Sequence, residues 1–276
     1  MRPGGLEQNN SLLKCCWTNR RLILQLITRE IKARYRGTLL GIAWAVLVPI
    51  IMLAVYTFVF TVVFQARWET QIDNKASFAL ILFSGLIIFT IFSEAVNRAP
   101  GLMMENSSYI KKIVFPLEAL PWVSVGVACF NGLISSVVLL SFYLLTLGLP
   151  PATALLIPFA VLPPIFITVG LVFFLSSLGV YLRDMQQLIA VTTSLIMFLS
   201  PIFYPLTSIP EKIRPFLYLN PLTISLQQCR NLLFWGTGIS TEDTITYCGY
   251  LLVSLLLAHC GFWWFQKTKR GFADVI

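Results

Sequence analysis

The chain has 276 residues, of which 57% are hydrophobic and only 12% are charged, and its mean hydropathy is +0.79. A typical soluble domain has about a quarter of its residues charged, so this composition excludes both an ordinary water-soluble globule and a disordered chain. The formal net charge is +8, from 20 Lys and Arg against 12 Asp and Glu. Such an excess fits either nucleic acid or anionic lipid, and the distribution of charge along the chain decides between them.

The N-terminal region, residues 1–37, carries eight basic residues ahead of the first long apolar run. Apolar side chains recur every four positions from Ile23 to Tyr35, while polar and basic side chains fill the opposite face. This pattern predicts an amphipathic helix over residues 12–36, lying in the cytoplasmic headgroup layer with its cations near anionic lipid. The helix is either a simple anchor or a collar beside a pore or a partner protein.

Five runs without a charged residue follow this region, and a helix that crosses the hydrocarbon needs about 20 apolar residues. The longest run holds two crossings around a turn signal at Gly148-Leu149-Pro150-Pro151. The runs are too long and too uniformly apolar for barrel strands. The chain is therefore predicted to be an all-α integral membrane protein with a six-span transmembrane domain over residues 38–266. The predicted spans are 38–64, 76–96, 119–147, 153–180, 187–206 and 245–266.

Basic residues are distributed unevenly over the loops between these spans. With six spans both termini lie on one side, and that side carries fifteen Lys and Arg against five on the other. The positive-inside rule makes the more basic side cytoplasmic, including the tail 267–276. Because five acidic residues balance the five outer bases, all eight net charges lie on the cytoplasmic face. The excess is thus assigned to the membrane and not to nucleic acid.

Two cytoplasmic segments are candidates for docking onto a partner protein. Residues 97–116 contain a Pro-Gly break and then a short amphipathic helix with Met, Tyr and Lys on its surface, which suits a protein partner. The alternative is that this helix simply lies on the membrane. Loop 181–186 carries Arg183 and Asp184, which would be costly in lipid and so lie at the interface or bind a partner.

The outer segment 205–240 contains two stretches that are helical in pattern but too short to cross the membrane. We expect two short re-entrant helices here, since non-helical backbone at membrane depth is tolerated where it lines a cavity; the alternative is a plain outer loop. The six cysteines show no metal-ligand spacing. Cys229 and Cys248 lie on or near the outer side, and the sequence leaves their pairing open.

Aromatic side chains in the first and fifth spans are candidates for the lining of a path. Tyr56, Phe60 and Phe64 recur every four residues, and Phe203 and Tyr204 stand at the end of the fifth span. Such residues usually serve in packing or in interface belts. Aromatic faces are also the apolar flats on which sugar rings stack, so both interpretations stay open.

The sequence contains no Gly-x-x-x-x-Gly-Lys-Ser/Thr loop, so we do not expect this chain to bind ATP through a P-loop. It also lacks a recognisable set of catalytic residues in a membrane cavity, and no cofactor or metal is expected on it. If the chain is a transporter, another subunit has to supply the energy. The two cytoplasmic segments are candidates for contact with that subunit.

Several motifs occur in an order that is typical of one family. They are Arg-Glu-Ile-Lys-Ala-Arg-Tyr-Arg-Gly-Thr-Leu-Leu-Gly at 29–41 with Trp44 and Pro49, Lys-Lys-Ile-Val-Phe-Pro at 111–116, the turn 181–184, Ser-Pro-Ile-Phe-Tyr-Pro at 200–205, Asn220-Pro221 and the tail 270–276. With this ordered set, the chain resembles the membrane-spanning permease of ABC exporters of polysaccharides, in particular the O-antigen (lipopolysaccharide) branch. Teichoic-acid and capsule exporters are relatives of that branch.

The resemblance implies a homodimer of permeases bound to two copies of a nucleotide-binding ATPase subunit, which would hold ATP and Mg²⁺. It also implies a multi-pass protein of the bacterial inner membrane whose substrate is a polyprenyl-diphosphate-linked polysaccharide. The N-terminal helix would border the cytoplasmic entrance, residues 97–116 would couple to the ATPase, and residues 205–240 would supply outer gate helices.

The residues implied by the resemblance fall into three groups. The channel-lining candidates are Tyr56, Phe60, Phe64, Phe203 and Tyr204. Arg34 and Arg36 are candidates for the diphosphate at the entrance, because arginine matches phosphate oxygens. The candidates for coupling to the ATPase are Glu105, Tyr109, Lys111, Lys112, Arg183 and Asp184.

Two other functions fit the same architecture. One is an ABC permease that exports a drug or a lipid. The other is an integral membrane glycan transferase, which would need acidic or His residues in a shared cavity at the membrane surface. The acidic residues available for that role are Glu94, Glu105, Glu118 and Asp184.

Overall fold

A computed structural model describes residues 11–63, 75–110, 115–237 and 241–275, and every regular element in these ranges is helical. The α-helices are α1 Leu12–Thr18, α2 Arg20–Tyr35, α3 Trp44–Thr57, α4 Lys75–Arg98, α5 Leu102–Glu105, α6 Ser107–Ile110, α7 Ala119–Thr146, α8 Ile157–Ala160, α9 Leu162–Tyr181, α10 Met185–Leu199, α11 Arg214–Leu217, α12 Thr223–Arg230, α13 Thr241–Thr268 and α14 Phe272–Val275. Short 3₁₀ turns join several of them, and π-helical turns extend α3 to Val63 and α12 to Trp235.

Five helical stretches are long and apolar enough to cross a membrane. They are Gly41–Phe60, Ser77–Glu105, Ala119–Thr146, Ala152–Tyr181 and Thr244–Gly271. The prediction of an all-α integral membrane protein is therefore confirmed. Each stretch overlaps a run without charged residues, and about 20 apolar residues in helical form match the thickness of the hydrocarbon.

The helix in the fifth predicted span is shorter than the span 187–206. It is α10, which has 15 residues and ends at Leu199. Ser200 is extended, with φ −78° and ψ 142°, because the residue before a proline is sterically disfavoured in the helical region. Residues 200–205 therefore continue as a non-helical stretch, and the count of six membrane-spanning helices stays a prediction.

The predicted amphipathic helix over residues 12–36 is divided into α1 and α2 at Asn19. This residue has φ −95° and ψ 9°, and its side-chain amide donates a hydrogen bond to the carbonyl oxygen of Cys15 at 3.1 Å. The apolar face of α2 packs against the first turns of α7. The buried residues of this contact are Ile23, Leu26, Ile31, Ala119, Val123 and Val127. Protein contacts therefore hold α2 in place along one face.

The central helix of the bundle is α4. Within its apolar window 83% of residues are buried, compared with 11% for Gly41–Phe60 and 22% for Thr244–Gly271. It packs against α3, α7, α9 and α10. The outer helices leave large apolar side chains uncovered, which is the pattern of helices that face lipid or a second protein.

Helices α9 and α13 pack very closely at a point where two glycines meet. A Cβ atom on Gly261 would lie 2.1 Å from the carbonyl oxygen of Gly170, and a Cβ on Gly170 would lie 2.6 Å from that of Leu257. In membranes, helix association depends on such close packing, because lipid removes the hydrophobic driving force between helices.

We expect Gly261→Ala to destabilise the protein by about 1–3 kcal/mol, the typical cost of overpacking, because the new methyl group meets backbone atoms that cannot move aside. Thermal unfolding of the purified protein in detergent measures the effect. The matched control is Gly249→Ala in the same helix, where no other atom lies within 4 Å of an added Cβ. Equal stability of the two variants would contradict this packing.

Candidate functional site

The two segments that are candidates for docking onto a partner meet in the fold. Gly179 near the end of α9 packs so closely on Pro100 that an added Cβ would lie 2.1 Å from the proline carbonyl oxygen. Around Gly101, the side-chain oxygens Oε1 of Glu105 and of Gln186 lie 3.3 and 3.8 Å from the position of a Cβ. Residues 99–110 and 181–186 thus form one continuous surface, which we call the coupling surface.

The predicted contact residues of the coupling surface have different environments. Arg183, Asp184 and Glu105 are exposed, while Tyr109 is half-buried and stacks on Phe115 with ring centroids 4.3 Å apart. Lys111 and Lys112 lie outside the described residues. The surface therefore presents charges of both signs beside an aromatic side chain, which is a composition suited to a protein partner.

Residues near the C-terminus pack against Tyr181, at the start of the loop in this surface. Phe272 is fully buried and packs edge-on against Tyr181 and Phe265, at centroid distances of 6.2 and 5.5 Å. The hydroxyl of Tyr181 donates a hydrogen bond to the carbonyl oxygen of Thr268 at 3.2 Å. The loop that carries Arg183 is thus attached to the end of α13 and to α14.

A chain of polar contacts connects the coupling surface to α2. Arg98 forms ion pairs with Glu30 of α2 and with Glu105, the latter at 3.7 Å. The Arg29 guanidinium donates a hydrogen bond to the Tyr109 hydroxyl at 2.6 Å and lies 5.7 Å from the centre of its ring. A displacement of α5 or α6 would therefore be transmitted directly to α2.

The two entrance arginines differ in their contacts. Arg34 donates to Oε1 of Glu94 at 2.6 Å, and Asn131 donates to both oxygens of the same carboxylate at 2.9 Å. Arg36 is exposed, and no ion pair engages it among the residues that the structure describes. Of the two, Arg36 is therefore the arginine without an ion pair among the described residues.

Glu118, just before α7, joins the start of that helix to the end of α13. Its carboxylate is 13% exposed, forms an ion pair with Lys269 and accepts a hydrogen bond from the Gln266 amide at 3.0 Å. Burial raises the pKa of this carboxyl, but the hydrogen bonds and the positive charge of Lys269 outweigh that effect and hold the pKa below its ordinary value of 4.5. Sequence reasoning offered Glu118 only as a candidate catalytic acid and missed this structural role, although both partners stand directly beside predicted spans.

Phe60 and Phe203 meet in an aromatic cluster, which we define as Phe60, Phe78, Phe198 and Phe203. The ring of Phe203 stacks on Phe60 at 6.4 Å and on Phe198 at 6.0 Å, and Phe60 contacts Phe78 at 5.4 Å. This arrangement joins the first, second and fifth predicted spans.

The other channel-lining candidates lie outside the aromatic cluster or beyond the described residues. Tyr56 is half-buried against the core. Tyr204 donates hydrogen bonds to the carbonyl oxygens of Phe198 and Leu199 at 3.1 and 3.2 Å, which satisfies groups left unpaired by the end of α10. Phe64 lies outside the described residues.

All six cysteines are free in the structure, including Cys229, which is buried, and Cys248, which is exposed. Among the described residues there is no group of His, Cys, Asp and Glu that could hold a metal ion. The fold, the coupling surface and the aromatic cluster are therefore the features on which a function has to rest.

The family model for ABC-2 type transporters matches residues 21–234, most of the chain. The chain belongs to the ABC-2 type transporter family. This confirms the resemblance, and it identifies the chain as a transporter membrane subunit and not as a member of a known enzyme family.

Curated relatives of the chain are similar over nearly their full length. The O-antigen export system permease protein RfbA of Myxococcus xanthus is 28% identical over 96% of this chain and 99% of the relative. RfbA of Klebsiella pneumoniae is 26% identical, over 92% and 95%. The polysialic acid transport protein KpsM of Escherichia coli is 25% identical, over 84% and 88%.

We expect Glu118→Gln to destabilise the protein at neutral pH by about 1.5–3 kcal/mol, since it removes a hydrogen-bonded charge. Because the folded-state pKa is lowered, the stabilisation is present above pH 4.5 and is lost as the pH falls through the folded-state pKa. The difference in thermal stability between wild type and variant should therefore shrink on acidification. Glu211→Gln, at an exposed carboxylate, is the control, and a difference that persists unchanged at low pH would rule out the ion pair as its cause.

Proposed function

We propose that the chain is the permease subunit of an ATP-driven exporter that moves a polyprenyl-diphosphate-linked polysaccharide of the O-antigen type across the bacterial inner membrane. The observation that carries this proposal is the nearly full-length similarity to permeases named for O-antigen export, in a chain of the ABC-2 type transporter family. The functional assignment is thus to the whole chain and not to one isolated motif.

The proposed assembly is a homodimer of permeases with two ATPase subunits. Support for a second permease copy comes from the uncovered apolar surface of α3 and α10. Only 11% of the window in Gly41–Phe60 is buried, and one face of α10 exposes Leu188, Val191, Leu195 and Phe198. A protein interface on these faces would cover them. The ATPase subunits would hold ATP and Mg²⁺.

The ATPase is proposed to bind the coupling surface on the cytoplasmic side, where both termini would also lie. The fifteen-to-five distribution of basic residues supports this orientation. Because Arg98 and Tyr109 connect the coupling surface to Glu30 and Arg29 of α2, ATP-driven movement would reach the helix that borders the entrance. Arg36, at the end of that helix, is proposed to meet the diphosphate of the carrier lipid.

The aromatic cluster is proposed to line the path of the glycan. Sugar rings stack on aromatic faces and form few hydrogen bonds there. A polymer can therefore slide along them without being held by directional bonds. A capsule-type polysaccharide is a second candidate substrate, favoured by the similarity to the polysialic acid transport protein. Drug or lipid export has no comparable support among these relatives.

A glycan transferase is disfavoured by the contacts of its candidate acids. Glu94 and Glu118 form ion pairs with Arg34 and Lys269, whereas Glu105 and Asp184 are exposed on the coupling surface. The candidate acids therefore lie in separate places. A general acid or base has to reach its substrate, and the two ion-paired carboxylates instead stabilise junctions between helices.

We expect the tagged chain to co-purify from native membranes with an ATPase subunit. Reversal of the exposed charges in Arg183→Glu with Asp184→Lys should lower both the co-purified ATPase and the surface polysaccharide roughly tenfold, because mismatched charges across an interface cost at least 1.4 kcal/mol. Lys212→Glu is the matched control, since Lys212 is exposed at the other end of the fold. Full export and full ATPase recovery with the double variant would contradict the proposal that the ATPase binds the coupling surface.

A further inference from the structure

A buried arginine joins the end of α12 to the non-helical segment that follows α10. Arg230, the last residue of α12, is only 3% exposed. Its Nη1 donates to the carbonyl oxygen of Pro201 at 2.6 Å, and its Nη2 donates to that of Ile202 at 2.8 Å. These carbonyl groups lie in non-helical backbone, where buried acceptors need a partner, and a guanidinium supplies two parallel donors in a fixed fork.

Asn220 holds the same break from the other side. Its side-chain amide donates to the Ser200 hydroxyl at 2.8 Å, while its Oδ1 accepts a hydrogen bond from the Leu222 amide at 3.0 Å. Residues 200–202 are therefore held by one side chain that precedes α12 and one that ends it, and Ile202 is fully buried.

A glycine in the central helix leaves the room that the guanidinium occupies. A Cβ atom on Gly85 of α4 would lie 3.0 Å from Nη2 of Arg230 and 3.3 Å from Cδ2 of Leu226. Any side chain at position 85 would press on the same guanidinium nitrogen that binds Ile202. Gly85 therefore helps Arg230 to keep its hydrogen bond to Ile202.

The residue that follows this anchored backbone is Phe203, whose ring stacks between Phe60 and Phe198. The direction of the Phe203 side chain depends on the backbone at Pro201 and Ile202, because no regular helix fixes it there. The hydrogen bonds of Arg230 therefore fix the backbone directly before Phe203 and so influence where its ring lies in the aromatic cluster.

We propose that Arg230, assisted by Asn220 and Gly85, is a positioning residue that holds Phe203 in the aromatic cluster and so keeps the path closed at the end opposite the coupling surface in the resting permease. The closed path rests on the proposed function, whereas the position of Phe203 does not. Movement of α12 relative to α10 would release Phe203 and open this end.

The test combines thiol labelling with transport. Phe203→Cys is introduced into a chain whose six native cysteines are replaced by alanine, with Lys212→Cys as an exposed reference position. A polar maleimide then labels both sites in the purified complex. We expect Arg230→Met and Gly85→Ala to raise the labelling rate at position 203, relative to position 212, roughly tenfold, which corresponds to about 1.4 kcal/mol. Arg230→Lys should give a smaller increase, because lysine keeps the charge but lacks the fork.

Proteoliposomes carrying the complex, with its native Phe203, supply the second measurement. The same Arg230 and Gly85 substitutions should increase the resting leak of a small dye, while the amount of assembled complex stays at the wild-type level. Gly249→Ala is the control for a glycine substitution without contacts. If Arg230→Met does not assemble, Gly85→Ala and Arg230→Lys decide the question.

The outcomes separate this inference from the proposed function. An unchanged labelling ratio in assembled Gly85→Ala and Arg230→Lys complexes would overturn the positioning role, even if the wild type exports polysaccharide. An increased ratio without an increased leak would overturn closure of the path. An increased ratio, together with a wild-type complex that exports no polysaccharide, would support the positioning role at residue 203 and reject the proposed function.

Discussion

The cost of placing a charge in hydrocarbon is the constraint on which the rest of the structure depends. It keeps charged residues out of the centres of the long helices and gathers them where the helices end. At the end that carries the coupling surface, they form ion pairs between different elements: Arg34 with Glu94, Arg98 with Glu30, and Lys269 with Glu118. The same constraint that divides the sequence into spans therefore also supplies the contacts that join α2, α4, α7 and α13.

The two ends of α10 are held in different ways. Beside its first turn, the coupling surface is joined to α2 by ion pairs and by the contact between Arg29 and Tyr109. Beyond its last turn, irregular backbone is held by side-chain hydrogen bonds from Arg230 and Asn220. Ion pairs between separate elements allow a movement of one element to act on the other. Short directional bonds to carbonyl groups instead fix a segment until it is released.

The sequence allows the long helices to be predicted because their signal is local. Runs without charge set their length, and the turn at 148–151 lies where Ala119–Thr146 ends and Ala152–Tyr181 begins. The points where helices end or are interrupted were harder to predict from the sequence. The apolar periodicity continues across Asn19, and the effect of Pro201 on the end of α10 depends on the one residue before it.

The candidate site was predictable only in part, because its contacts are made between distant residues. The chemistry of aromatic faces was enough to select Phe60 and Phe203, which then meet across 143 positions of sequence. The pairing of Arg34 with Glu94 spans 60 positions and has no local signal. Arg230 looked like one more outer charge. The apolar pattern around it in 223–234 was the available sign that its side chain is buried.

As proposed, this chain forms an ATP-driven path for a lipid-linked polysaccharide. The most direct measurement reconstitutes the chain with its co-purified ATPase in liposomes that contain a polyprenyl-diphosphate-linked glycan, and follows the glycan with a lectin on the opposite side. The claim predicts transfer that requires ATP hydrolysis and both subunits. Transfer without the ATPase, or no transfer of the glycan by an actively hydrolysing complex, would contradict it.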